Sequence, residues 1–194
     1  MTVSGVPIHR LAATAREAYV AHLLALDAED VRLRFGALLP PAAITAYVAR
    51  IDFGVDSIFG VFGAGMELVG AVHLAFGRDH AELGVSVLPP GRRRGIGGAL
   101  VARAAEHARN RATSRLYMHC LGENATMIRL ARRVGMAVVV EAGDADAHVT
   151  LPPATALSFT SEILADRIAL YDYTLKSHVE AWRRVGVVLA GATP

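Results

Sequence analysis

The stretch PPGRRRGIGGAL, residues 89–100, decides the predicted fold because it joins a strand-like run to an alanine-rich run. Residues 81–87 alternate as a strand does, and the two prolines end that strand because neither can donate to a sheet. Apolar residues at four-residue spacing then predict a helix over residues 96–109. The sequence therefore predicts a strand, a glycine-lined turn and a helix in succession.

This junction has the properties of a phosphate-binding site. The first amides of a helix have no intrahelical acceptor, and the helix dipole adds about half a positive charge there. Glycines let a ligand approach the backbone, and guanidinium groups add paired hydrogen bonds to phosphate oxygens. For the arginines, a solvated basic turn is the alternative. The predicted binding residues of the turn are Arg92, Arg93, Arg94, Gly95, Ile96, Gly97, Gly98 and Ala99.

Two common phosphate-binding motifs do not fit the spacing. A P-loop needs a lysine and a hydroxyl residue after its second glycine, and the run Gly-Gly-Ala-Leu supplies neither. A dinucleotide fingerprint needs a glycine three residues beyond Gly97, where Leu100 stands. Neither motif therefore explains the glycines.

Arg92 followed by Gly95 and Gly97 resembles the acyl-coenzyme A signature of the GNAT superfamily of N-acetyltransferases. A second segment, from Glu123 to Met136, resembles the other cofactor-binding segment of that family. The resemblance is strong over residues 69–136, extends over residues 8–151 and is absent beyond. It implies acetyl-coenzyme A as cofactor, with the pantetheine arm paired to the backbone of Val85, Ser86 and Val87. It also implies that this strand splays from the next one, residues 115–121.

Composition favours a single catalytic domain. The chain has 194 residues, contains no run of 18 apolar residues, and lacks the apolar core of a signal peptide in residues 1–16. We therefore expect a cytoplasmic protein with no membrane segment. Cys120 is the only cysteine, so no intrachain disulfide can form, and its spacing to other ligand types indicates no metal site.

Positive charge is concentrated in the middle of the chain. Residues 92–133 carry ten arginines against two glutamates, although the whole chain has a net charge of only +2. Such asymmetry favours an anionic partner, and the three phosphates of coenzyme A satisfy it. A nucleic acid is the rival partner. It is disfavoured because the arginines fall on at least two elements and few aromatics are available for stacking.

Periodicity predicts an α/β fold in which helices pack on a mixed sheet. The resemblance implies that this sheet is mostly antiparallel and flanked by helices. Strands are predicted at 8–10, 57–62, 66–75, 81–87, 115–121, 136–141 and 148–151, with a turn at 143–146. Helices are predicted at 14–26, 29–35, 42–50, 96–109 and 125–134. Residues 1–153 form the predicted acyltransferase domain, and residues 154–194 a helical extension.

The extension carries one apolar stripe on a helix of about twenty residues. The stripe comprises Leu164, Ile168, Tyr171, Leu175, His178 and Trp182. It could seal a homodimer or pack on the same chain. Packing on the same chain is favoured, because a helix of that length normally finds its nearest apolar surface.

Glu82 is the predicted general base. An attacking amine has a pKa near 10, so a carboxylate that removes its proton is worth about 10² to 10⁴ in rate. Members of the family that acylate protein lysines carry a glutamate in a similar strand, although Leu83 replaces their aromatic residue. Leu33-Arg34-Phe35 resembles another segment of that subgroup. The alternative for Glu82 is a solvated strand-edge charge.

Other polar residues have both a chemical and a structural interpretation. Asn124 resembles the cofactor-contacting asparagine of the family and also suits a helix N-cap. Ala131 stands where many relatives place a tyrosine that protonates the departing thiolate. The nearby Tyr117, His119 and Cys120 are possible substitutes, although we expect core packing for each. Asp144 and Asp146 either attract a cationic amine or form a solvated turn.

The predicted function is transfer of an acetyl group from acetyl-coenzyme A to a primary amine by direct attack. The amine belongs to a small molecule or to a protein lysine, and the sequence does not choose between them. One alternative is a sensor that binds acyl-coenzyme A without catalysis, since Ala131 replaces the usual acid. The less favoured alternative is a basic module that binds nucleic acid.

Overall fold

A seven-stranded sheet forms the centre of the computed structural model, which describes residues 5–190. The strands lie in the order β1, β2, β3, β4, β5, β7, β6. Their bounds are β1 His9–Leu11, β2 Ser57–Phe62, β3 Leu68–Phe76, β4 His80–Val87, β5 Arg115–Leu121, β6 Ala137–Glu141 and β7 Asp144–Thr150.

Among these strands only β4 and β5 run parallel, and the other five neighbouring pairs are antiparallel. β4 pairs with β3 from Ala81 to Val87, and β5 pairs with β7 along its whole length. The sheet therefore consists of two antiparallel halves joined by one parallel contact. This arrangement, with helices on both faces, confirms the predicted fold class.

Helices cover the two faces of the sheet unequally. The three N-terminal helices share one hydrophobic cluster with β1, β2 and β3, and a second cluster on the other face contains α4. Leu100, Ala104 and Ala108 of α4 are fully buried in that second cluster. The helix bounds are α1 Arg16–Leu24, α2 Ala28–Phe35, α3 Pro41–Ala49, α4 Ile96–Asn110, α5 Ala125–Arg133 and α6 Ala156–Ala190.

The predicted strand, turn and helix are present at residues 80–110. β4 ends at Val87, Pro89–Gly91 form one turn of 3₁₀ helix, and α4 begins after Gly95. Arg93 and Gly95 have left-handed φ angles of 59° and 77°. Glycine adopts this conformation without strain, whereas an arginine there is uncommon. These two residues redirect the chain from the end of β4 into α4.

The last hairpin differs from the prediction. A turn was expected at residues 143–146, but β7 already starts at Asp144. The turn consists of Ala142 and Gly143, whose φ angles are 52° and 93°. Positive φ at both positions is typical of a two-residue type I′ turn, whose twist matches that of its strands. Asp146 therefore projects from a strand and does not belong to a solvated turn.

The C-terminal helix is longer than predicted, and its apolar stripe faces solvent instead of the rest of the chain. α6 has 35 residues, and its apolar stripe is exposed: 72% of Tyr171 and 76% of Trp182 contact solvent. The expectation that the stripe packs on the same chain is therefore wrong. Within residues 5–190, no helix combines the length and apolarity needed to cross a membrane. The domain boundary at residue 153 stays a prediction.

A polar network attaches α6 to α4. Glu162 accepts hydrogen bonds from Arg103 at 3.0 Å, from His107 at 2.5 Å and from Asn110 at 2.5 Å. Burial alone would raise the pKa of the Glu162 carboxyl, but these three donors outweigh it and lower the pKa to about 2. Arg103 also donates to Asp166 at 2.5 Å. The contact between α6 and α4 is therefore held mainly by charge-assisted hydrogen bonds.

Replacement of Glu162 by glutamine should destabilise the protein by about 2 kcal/mol at pH 7, since it removes the charge that these donors satisfy. The stabilisation should be complete above the ordinary carboxyl pKa of 4.5 and disappear as the pH falls towards 2. Urea unfolding at pH 7 and pH 3 measures this, and the gap between wild type and variant should narrow at pH 3.

Asp166→Asn is the matched control. The Asp166 side chain is 46% exposed and pairs with the same Arg103, so its loss should cost less than about 1 kcal/mol. Equal destabilisation by the two variants, or a pH-independent effect of Glu162→Gln, would contradict the assignment.

Candidate active site

The site begins where β4 and β5 part. Their parallel pairing covers only His80, Ala81 and Glu82, which face residues 115–117 of β5. From residue 83 to the end of β4, no strand pairs with this edge among the described residues. A cleft of about 770 Å³ opens at the gap and runs to the start of α4. The splay expected between these strands is thus present.

Most of the predicted cofactor-binding residues line this cleft. They come from three separate segments: the end of β4, the turn before α4 and the start of α5. The lining residues among them are Val85, Ser86, Val87, Arg92, Arg93, Gly95, Ile96, Gly97, Gly98 and Asn124. Arg94 and Ala99 lie outside the lining, as does the predicted base Glu82.

The start of α4 offers backbone donors and open space. Among the described residues no side chain caps this end of the helix, so its first-turn amides have no side-chain acceptor there. A Cβ on Gly97 would lie 3.5 Å from Leu130, and one on Gly98 would lie 3.9 Å from it, both ordinary contact distances. The fold itself does not need glycine at these positions. Their small size leaves room beside the helix end for a ligand.

The cleft arginines differ in how they are engaged. Arg92 donates to the carbonyl of Val87 at 2.9 Å and forms an ion pair with Asp30 of α2. It therefore ties the end of β4 to α2. Arg93, Arg129 and Arg133 line the cleft and have no carboxylate partner within residues 5–190. Arg129 and Arg133 were not predicted as site residues, although the local charge excess pointed to this segment.

Asn124 serves as the N-cap of α5 and also reaches the cleft. Its side-chain oxygen accepts from the amide of Met127 at 3.1 Å, and its amide nitrogen lies 3.5 Å from the carbonyl of Leu33. The residue is buried and lines the cleft. The predicted capping role is confirmed, and the cofactor-contacting role stays a prediction.

The side chain of Ser86 forms a hydrogen bond with a buried histidine, His22. His22 Nδ1 lies 2.7 Å from the carbonyl of Leu68, and its Nε2 lies 2.8 Å from Ser86 Oγ. Because a carbonyl only accepts, Nδ1 carries the proton and Nε2 accepts from the Ser86 hydroxyl. Burial lowers the pKa of His22, which favours this neutral form. β4 therefore presents backbone, rather than this hydroxyl, to a ligand.

Arg34 is a cleft residue whose chemical role the sequence did not reveal. Its guanidinium lies against β4 at Gly84, where any Cβ would overlap it. It donates to the hydroxyl of Tyr47 at 3.4 Å, and its Nε is buried without a partner among the described residues. Tyr47 bonds His73 at 2.6 Å, which bonds Asp56 at 3.0 Å. This polar chain was missed because its members are far apart in sequence.

Glu82 shares a face of the sheet with His119. Glu82 is exposed, lies opposite Tyr117 in register and has no hydrogen bond or ion pair in the described part of the chain. His119 lines the cleft and bonds Asp146 at 2.8 Å, which raises the pKa of His119. The expectation of core packing is wrong for His119, since alternation places it on the open face.

Cys120 and Ala131 are both buried. Cys120 is buried on the opposite face of β5 from His119 but also contributes to the cleft lining, and burial raises the pKa of its thiol. Ala131 is 1% exposed and belongs to the core. A tyrosine acid is therefore missing at the usual place, and His119 is a titratable group on the cleft wall.

Comparisons with known proteins agree with this geometry. No curated protein sequence matches the chain significantly. The structure is similar to the GNAT domain of PAT from S. lividans (21% identity, TM-score 0.64, 74% of this chain and 89% of that chain). It is also similar to ribosomal-protein-alanine N-acetyltransferase from Brucella melitensis (21%, 0.58, 74% and 99%) and to spermidine N-acetyltransferase from Vibrio cholerae in complex with CoA and spermine (15%, 0.60, 76% and 96%).

At these identities the solved structures establish the fold alone. The sequence itself goes further, because the model of the acetyltransferase (GNAT) family matches residues 25–136, which is more than half of the chain. That match covers β4, the glycine turn, α4 and the start of α5, where the cleft lies. The chain belongs to the GNAT acetyltransferase family.

Proposed function

We propose that this protein transfers an acetyl group from acetyl-coenzyme A to a primary amine. The observation that carries the proposal is the gap between β4 and β5, which leads directly to the uncapped start of α4. One cleft thereby joins an unpaired strand edge to a helix N-terminus whose free amides suit a phosphate. A long ligand with amides at one end and phosphates at the other fits both parts.

The residues of the cleft fit coenzyme A by their chemistry. The unpaired edge of β4 at Val85 to Val87 would pair with the amides of the pantetheine arm, as one strand pairs with another. The first-turn amides of α4 would bind the pyrophosphate, with Arg93, Arg129 and Arg133 as its counter-charges. Asn124 would add a side-chain amide. When bound, acetyl-coenzyme A supplies the activated acetyl group.

Glu82 is the proposed general base. It is exposed and has no competing partner among residues 5–190. It is also the last residue of β4 that pairs with β5, beside the opening of the cleft. An incoming ammonium must lose a proton before it attacks, and the Glu82 carboxylate would accept this proton directly or through a water molecule. His119 would in turn offer a proton to the departing thiolate, since its bond to Asp146 favours the imidazolium.

The acceptor is proposed to be cationic. Glu82, Asp144 and Asp146 are exposed on the same open part of the sheet, next to the cleft wall at His119. Such a surface attracts a protonated amine. Among the structural neighbours, one is named a spermidine and another a ribosomal-protein-alanine N-acetyltransferase. We therefore propose two classes of acceptor: a small polyamine, and an amine of a protein, such as a lysine side chain.

Calorimetric titration with acetyl-coenzyme A at moderate salt tests the proposal first. We expect saturable one-to-one binding, followed by acetylation of at least one amine in a panel of polyamines, amino acids and lysine peptides. Binding without any transfer would favour a sensor. Absence of binding, together with salt-sensitive binding of nucleic acid, would overturn the proposal.

Gly97→Ala separates the binding role of this residue from a structural one. The added Cβ fits the fold at ordinary contact distance, and alanine is the better helix former by about 1 kcal/mol. We expect an unchanged or raised melting temperature with acetyl-coenzyme A affinity reduced about tenfold, or about 1.4 kcal/mol. Full affinity in a stable variant would show that the ligand does not approach the helix here.

Glu82→Gln tests the base. We expect kcat/KM to fall by about 10² or more at neutral pH, with the acetyl-coenzyme A affinity and the melting temperature unchanged. The deficit should shrink as the pH rises towards the amine pKa near 10, because the amine then loses its proton without help. Glu141→Gln, which removes an exposed carboxylate from β6, is the control. Equal losses in the two variants would reduce Glu82 to a general electrostatic role.

A further inference from the structure

The exposed stripe of α6 has the spacing of a coiled-coil interface. Its residues follow one another at alternating intervals of four and three, which is the a and d pattern of a heptad repeat. We call this set the seam. It comprises Leu157, Ser161, Leu164, Ile168, Tyr171, Leu175, His178 and Trp182, all of them exposed.

The seam is not used by the packing of α6 within the chain. The face that contacts the rest of the protein carries mainly small and charged residues, among them Ser158, Glu162 and Ala169, together with Tyr173, whose ring packs against Phe62. By contrast, 79% of Leu157 and 76% of Trp182 at the two ends of the seam are exposed. An exposed, largely apolar surface of this kind on a helix marks an interaction site.

We propose that the seam binds the seam of a second copy of this chain, with the two α6 helices antiparallel. When Ile168 of one copy lies opposite Tyr171 of the other, every remaining position also finds a partner. Leu164 then faces Leu175, and Leu157 faces Trp182. The two polar positions, Ser161 and His178, face each other and can form a hydrogen bond.

This match argues for a second copy and against an unrelated helix. A two-fold symmetric interface requires a surface that is complementary to itself, and the seam meets this condition in each of its layers. A parallel pairing would stack Trp182 on Trp182 and His178 on His178. It would thus crowd the two largest side chains and place two titratable groups together. The antiparallel pairing instead places Trp182 against the smaller Leu157, and His178 against the polar Ser161.

The size of the seam is adequate for a dimer. Its six large apolar side chains can each bury on the order of 100 Å². The helix pair would therefore cover roughly 600 Å² per copy, near the ~800 Å² per partner of a standard interface. The seam runs about 38 Å along the helix at 1.5 Å per residue, so the contact is long and narrow.

Sedimentation analysis of the full chain tests the proposal, with Leu175→Glu as the disrupting variant. Leu170→Glu is a matched control, because the same residue type is 58% exposed there, against 57% at Leu175, but lies off the seam. We expect a dimer for the wild type and Leu170→Glu, and a monomer for Leu175→Glu with unchanged circular dichroism. A monomeric wild type, or dissociation by both variants alike, would overturn the proposal.

Thiol cross-linking tests the orientation, in a Cys120→Ala background. Leu164→Cys and Leu175→Cys chains are prepared separately and then mixed. The antiparallel seam predicts that a short cross-linker joins the two variants in the mixture. It predicts no product from either variant alone, where the two thiols lie roughly 16 Å apart along the helices. Efficient cross-linking of each variant with itself would indicate parallel helices and contradict the proposal.

Discussion

The parting of β4 from β5 is the constraint on which the site depends. Each strand keeps its antiparallel partner along the gap, β4 with β3 and β5 with β7, so the two halves of the sheet separate as units. Backbone groups along residues 83–87 then lack a strand on one side, and a buried group without a partner costs about 1–3 kcal/mol. The edge must therefore meet water or a ligand with amides. A ligand that supplies strand-like hydrogen bonds would satisfy the backbone groups that the fold leaves unpaired at this edge.

The arginines of the central segment differ in whether they form an ion pair with a carboxylate. Arg103 and Arg115 are paired with carboxylates of Glu162, Asp166 and Asp79. On the cleft wall, Arg92 is paired with Asp30, whereas Arg93, Arg129 and Arg133 have no carboxylate partner in the described structure. These three arginines place positive charge on the cleft wall near the start of α4, while the carboxylates of Glu82 and Asp146 lie on the open face of the sheet. This polarity suits an anionic donor and a cationic acceptor.

Local signals in the sequence predicted the junction at residues 81–109, because prolines, glycines and helical spacing act within a few residues of one another. The turn before β7 was misplaced, since nothing in the sequence shows that Ala142 adopts a positive φ. Arg34 was named only through a resemblance. Its contact with Gly84 and Tyr47 joins three distant segments, and only the folded chain reveals it. The outward stripe of α6 was misjudged because spacing defines a face but not what covers it.

Because α6 contacts α4 mainly through charged and polar groups, its apolar face can remain exposed to solvent. An apolar docking face would compete with the seam for the same surface of α4, and the helix could then rotate to bury either one. Hydrogen bonds from Arg103, His107 and Asn110 to one carboxylate are compatible with a single rotation. Buried ion pairs contribute more to such uniqueness than to stability in some systems. In this chain the polar network holds one face of the helix against α4, and the residues of the seam are thereby left facing solvent.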